Sequence, residues 1–253
     1  VVSSSFEGHI PGVMGNYHVP INRINIRSGP PTEAQYTFIT NTAEFWPSGS
    51  FGQQNFTDML IMASNFAQNW LTPEDYVERT TTLLENISVY YPNSRYWIYA
   101  HWPETAIVDT FADPSELTDT EFLGYNNYTS GEYWDWHAGW FDEITRLRPH
   151  LDLRILPIGQ LIADLLDNES YMHSVNFTDL YVDSDPHGNA NTYFLSAVAT
   201  YHGMYRQAPD LVNLTIPVGA PPLLPEIAAN LEAISDYMQE RLPVYVDYLS
   251  HPR

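Results

Sequence analysis

Apolar positions along the chain follow two alternating rhythms. Short runs rich in β-branched, aromatic and aliphatic residues occur at INRINIR (21–27), TDMLIMAS (57–64), RYWIYA (95–100) and LDLRILP (151–157). The run at 95–100 is nearly continuously apolar, as expected of a strand covered on both faces. Between the runs the spacing becomes helical. Thr72-Pro73-Glu74-Asp75 offers an N-cap, a proline at the first helical position and acid in the first turn. Tyr76, Thr80, Leu83, Leu84 and Ile87 then recur on one face. A helix over 132–148 is expected to bury Tyr133, Trp136, Trp140, Ile144 and Leu147, and further helices are expected at 158–166, 190–206 and 223–249.

Strands that alternate with helices imply a mainly parallel sheet covered by helices on both sides, a three-layer α/β/α sandwich. In such sheets ligands sit at the carboxyl ends of the strands, so polar residues just after strands matter most. The 253 residues suffice for one large core, and no linker, charge block or internal repeat divides them. A single domain over 1–253 is the expectation. No apolar run approaches the ~20 residues that span a bilayer, so no membrane association is expected. VVSSSF at the start is too short and too polar for a signal peptide, which leaves a cytosolic chain or one whose signal has been removed.

Charge narrows the partners. There are 31 acidic and 10 basic residues, all ten of them arginine, for a formal net charge of −21. Nucleic acid and anionic membranes need a basic surface and are excluded as partners. A lysine-free acidic surface also suits a salty setting, where self-repulsion is screened, and low lysine also follows from genomic base composition. The absence of cysteine removes disulfides, thiolate ligands and a cysteine nucleophile. Six Asn-x-Ser/Thr sequons, at Asn55, Asn86, Asn127, Asn168, Asn176 and Asn213, bear on function only in a eukaryotic secretory host.

Three polar segments sit where the chemistry is expected. Ser3-Ser4-Ser5-Phe6 follows Val1-Val2, Ala63-Ser64-Asn65-Phe66 closes the second apolar run, and DLYVDSDPHGN (179–189) leads into a long helix. A serine hydroxyl attacks at neutral pH only with a base beside it, usually a histidine whose ring a carboxylate orients. Donors aimed at the developing oxyanion complete the requirement, and a side-chain amide at a strand end can be one.

Taken in order, these segments resemble the blocks of the SGNH, or GDSL-type, hydrolase superfamily. Ser3-Ser4-Ser5-Phe6 resembles the first block with Ser5 at the nucleophile, although serines replace the family's Gly and Asp. Gly29, in IRSGPP, resembles the glycine that donates its backbone N–H, and Asn65 resembles the asparagine that donates its side-chain amide. Asp183-Ser184-Asp185-Pro186-His187 resembles the last block, normally Asp-x-x-His. IYAHWPE and the stretch from DLY to HGMY look like a bacterial branch of the superfamily. The resemblance implies a flavodoxin-like fold and two-step acyl transfer without a cofactor. Ser5 would be the nucleophile and His187 the general base, with Asp183 orienting the ring. The Ser5 and Gly29 N–H groups and the Asn65 amide would form the oxyanion hole. Two departures stand out: only two residues precede the serines, and Ser184 occupies the position three before His187. Asp183 is preferred as the orienting carboxylate, with Asp185 the alternative.

Each residue also has a plain reading. Ser5 alone is a loop serine, His187 could cap a turn, Asn65 could bridge a strand to a loop, and Gly29 sits beside two prolines. His101 and Trp102, after the third strand, are candidate substrate contacts. Trp102, Trp134, Trp136 and Trp140 could stack on sugar, although Trp136 and Trp140 at helical spacing are more often core. No HExxH or comparable pair among the nine histidines suggests a metal, and no GxGxxG or P-loop suggests a nucleotide. The expected function is hydrolysis of a small-molecule or carbohydrate ester by a secreted or periplasmic enzyme. A non-catalytic carbohydrate-binding protein and an acyltransferase on the same triad are the competing expectations.

Overall fold

The computed structural model describes residues 58–62, 73–105, 113, 116–184, 187–211 and 222–246. The strand expected at 21–27 lies outside them. Among the described residues three strands form one sheet in chain order: β1 (Asp58–Met62), β2 (Arg95–Ala100) and β3 (Asp152–Pro157). β1 and β2 run parallel, with Asp58 opposite Arg95 and Met62 opposite Tyr99. β2 is the central strand, and its side chains from Tyr96 to Ala100 are all buried, which is why both of its faces are apolar. Asp58 ties the first two strands together, accepting from the Arg95 guanidinium at 2.6 Å and the Trp97 indole N–H at 2.7 Å. The guanidinium groups of Arg95 and Arg154 lie 5.9 and 5.2 Å from the Trp97 ring, cation–π contacts of about 0.5–1 kcal/mol each.

The α-helices among the described residues are α1 (Pro73–Ser88), α2 (Asp119–Ser130), α3 (Glu132–Leu147), α4 (Ile158–Asn168), α5 (Phe177–Leu180), α6 (Ala190–Tyr205), α7 (Pro225–Ala228) and α8 (Leu231–Tyr245). Strands and helices therefore alternate in α/β/α order around a mainly parallel sheet, as expected. The helices differ from the expectation in detail. Of the segment expected as one helix at 223–249, the described residues form two, because the Asn230 side chain donates to the Glu226 carbonyl at 2.7 Å and closes the first. α2 was not expected. Its buried stripe is Phe122, Tyr125, Asn126 and Thr129, and the two polar members disguise the apolar period.

The described residues gather into two compact units. One holds the sheet, α1 and most of α3. There Tyr76 meets Trp136 edge-on at 5.6 Å, and Trp136 lies 5.8 Å from Trp140, which is buried. These two tryptophans pack within the unit.

The other unit is helical. α2 packs along α4, and α4 packs against α6 and α8. α4 is buried from Ile158 to Leu166, including the polar Gln160 and Asp164. Asp164 is neutralised by Arg241 of α8, at 2.8 Å from Nε and 2.6 Å from a terminal guanidinium nitrogen. His202 of α6 is buried against α8, with Nε2 2.8 Å from the Ser235 hydroxyl. No helix among the described residues is long and apolar enough to cross a membrane.

Candidate active site

The DLYVDSDPHGN segment folds into a tied loop. A capping box between Asn176 and Asp179 starts α5, and the chain then leaves at Tyr181 and returns at Gly188 through an antiparallel bridge. Backbone bonds from Val182 N to His187 O, at 2.9 Å, and from Asn189 N to Leu180 O, at 2.8 Å, close its base. Glycine is needed at 188: a Cβ there would lie 2.9 Å from the Thr192 Cβ and 3.2 Å from the Tyr193 ring. Asn189 caps α6 by accepting the Asn191 N–H at 2.9 Å. The amides of Asn189 and Asn191 donate to the Asp179 carbonyl at 2.7 and 3.2 Å, and the Thr192 hydroxyl donates to the Leu180 carbonyl. The base of the loop is thus fixed to the first turn of a long helix.

Within this loop Asp183 meets His187. Oδ1 accepts the His187 backbone N–H at 3.0 Å, and Oδ2 lies 2.7 Å from Nδ1. An acceptor on Nδ1 places the proton there and leaves the Nε2 lone pair outward. Among the described residues nothing bonds to Nε2. The imidazole and carboxylate are 47 % and 43 % exposed, so as an ion pair they contribute on the order of 1 kcal/mol or less. The chemical consequence is larger: an imidazole so held can take a proton at Nε2, with the carboxylate stabilising the resulting cation.

The segment after β2 runs beside this loop. Trp102 lies 5.7 Å from the Tyr181 ring, and Tyr181 is 6.1 Å from Tyr125. The buried Tyr125 hydroxyl donates to the Pro103 carbonyl at 2.6 Å, and burial pushes its ionisation well above the ordinary tyrosine range. The His101 ring donates from Nδ1 to the Trp102 carbonyl and lies 6.1 Å from Tyr133. Gly159, at the start of α4, abuts this segment so closely that a Cβ would lie 2.6 Å from His101 C and O and from Trp102 N. Thr105 then donates twice to the Ser184 carbonyl, from its N–H at 3.1 Å and its hydroxyl at 2.9 Å.

Of the residues singled out in the sequence, the fold brings Asp183 and His187 together and sets the segment of His101 and Trp102 beside their loop. The carboxylate facing Nδ1 is that of Asp183. Ser5, Gly29 and Asn65 lie outside the described residues, as do Ser3, Ser4 and Asp185. Sequence reasoning missed Thr105 and Tyr181, whose partners are remote along the chain. Among the described residues no three His, Asp or Glu side chains converge as metal ligands would. No family model, no curated protein and no solved structure matches the chain.

Proposed function

We propose that the chain is a serine ester hydrolase of the SGNH type, flavodoxin-like in fold, acting on a small-molecule or carbohydrate ester. The observation that carries the reading is the Asp183–His187 pair, held at the start of a helix with Nδ1 on the carboxylate and Nε2 outward. In the proposed reaction the Ser5 oxygen bonds to the ester carbonyl carbon as His187 Nε2 takes its proton. The tetrahedral intermediate collapses, His187 returns the proton to the leaving alkoxide, and water repeats the sequence on the acyl-enzyme. The N–H groups of Ser5 and Gly29 and the Asn65 amide would hold the oxyanion. The formal charge of −21 favours a neutral ester over a polyanion, and a secreted or periplasmic setting is part of the same proposal.

The test is turnover of short-chain p-nitrophenyl esters by the wild type, Ser5→Ala and His187→Ala, together with fluorophosphonate labelling mapped by peptide mass. Activity in the wild type that both substitutions abolish, with label on Ser5, is the expected result. Label on Ser3 or Ser4 would move the nucleophile. No turnover and no label would end the hydrolase reading.

A further inference from the structure

A half-exposed loop does not keep a side chain aimed by itself. Residues 182–184 and 187 carry the Asp183–His187 pair at the surface, where competing water and loop motion degrade geometry. The segment 101–105, by contrast, is rigidly seated. Gly159 presses on its first peptide, and the buried Tyr125 hydroxyl holds the Pro103 carbonyl. Thr105 ends this segment with its side chain fully buried. A buried hydroxyl needs a partner, and this one donates to a loop 79 residues further along the chain. Two donors from one residue on one carbonyl fix both the position and the plane of that peptide group. The carbonyl belongs to Ser184, the neighbour of Asp183.

We propose that Thr105 is a positioning residue: it ties the Ser184 carbonyl to the rigid segment after β2 and thereby holds Asp183 and His187 in register. The inference rests on reading that pair as the acid–base machinery. Thr105 transfers no proton. It limits how far the carboxylate and imidazole wander between turnovers.

The experiment compares full-length wild type, Thr105→Val and Thr105→Ser. Valine keeps the shape and removes the hydroxyl, whereas serine keeps the hydroxyl and removes a methyl. Nitrogen-15 NMR of the His187 imidazole, assigned by its loss in His187→Gln, reports the tautomer directly, and ester kinetics are read in parallel. In the wild type and Thr105→Ser the proton should reside on Nδ1. In Thr105→Val the two tautomers should mix, with kcat down roughly ten- to a hundred-fold and KM changed less than about twofold. A Thr105→Val protein that keeps the wild-type tautomer overturns the proposal. So does a serine variant that loses the tautomer as fully as valine, which would assign the effect to packing, or a valine variant that does not fold. If the wild type hydrolyses no ester, the proposed function falls while the NMR comparison still decides the role of Thr105.

Discussion

Asp183 grips His187 at two points, its Oδ1 on the backbone N–H at 3.0 Å and its Oδ2 on Nδ1 at 2.7 Å. An asparagine at 183 would keep one acceptor but offer an amide N–H to the ring, favouring the wrong tautomer. Asp183→Asn should therefore lower ester turnover by roughly 10³–10⁴-fold. Asp185→Asn should cost much less. Steady-state kinetics on p-nitrophenyl acetate decide the ranking. The reverse order would move the orienting carboxylate to Asp185, and equal small effects would leave a Ser–His dyad.

Gly159 provides a test of the frame around the site. A methyl there would meet the His101 and Trp102 backbone at 2.6 Å, and backbone cannot rotate away as a side chain can. Although alanine is the better helix former, Gly159→Ala should destabilise the protein by roughly 1–3 kcal/mol. Urea unfolding measures it. An unchanged or raised midpoint would mean that α4 shifts without penalty.

The Asp164–Arg241 pair predicts an asymmetry between single and double substitutions. The Asp164 side chain is 9 % exposed, so Arg241→Met strands a buried carboxylate at a cost of roughly 2–4 kcal/mol. That is below the value for a fully buried pair, because the Arg241 side chain is 37 % exposed. Combining it with Asp164→Leu should recover most of the loss, since neither desolvation nor an orphan charge remains. Denaturant midpoints of the two single variants and the double variant test this. A double variant less stable than Arg241→Met would show that the ion pair is net stabilising.

Acid should act through His202. Burial between α6 and α8 pushes its imidazole down to about 4 from 6.5, against a smaller opposing pull from Asp236. The unfolded chain binds this proton below 6.5 and the folded chain only near 4, so the unfolded state gains protons first. The stability contributed is complete above 6.5, falls through the window from 6.5 to 4, and is gone below it. Its size is up to about 3 kcal/mol. His202→Gln should flatten the difference in urea midpoint between pH 7 and pH 4 relative to wild type. Parallel curves for the two proteins would remove His202 as the sensor.

Salt should also raise stability. With 31 acidic residues against 10 arginines, self-repulsion in the folded state is screened as ionic strength rises from low to moderate values. The melting temperature should increase over that range. A flat or falling trend would dispose of the argument for adaptation to a saline setting, and would leave the hydrolase proposal intact.

Local chemistry alone was enough to specify much of the α/β frame. RYWIYA is β2 over the expected residues, because a strand buried on both faces must be apolar at every position, and no helix of six residues would do. α1 begins at Pro73, where proline has no N–H to lose; Tyr76, Thr80, Leu84 and Ile87 are buried as their spacing requires, whereas Leu83, expected on the same face, is half-buried. The resemblance of Asp183-Ser184-Asp185-Pro186-His187 to a family block singled out His187 with Asp183 or, as the alternative, Asp185, and Asp183 lies 2.7 Å from Nδ1. The capping box that Thr118 and Glu121 form at 2.9 and 3.4 Å was a signal for α2 that sequence reasoning did not use. Its apolar stripe, interrupted by Asn126 and Thr129, hid it from a reading based on period.

Tertiary structure alone decided the rest. Nothing in HWPET distinguishes Thr105 from any loop threonine, because its partner, Ser184, is 79 residues away. Gly159 reads as a weak spot in a helix until His101 is seen against it. Asp164 and Arg241 are 77 residues apart and look like unrelated surface charges until α4 and α8 pack. The physical reason is the same in each case. Periodicity and capping are properties of neighbours on the chain, set by short-range sterics and hydrogen bonds. Clearance, desolvation and the partner of a buried polar group are set by whichever distant residues the packing of apolar faces brings together.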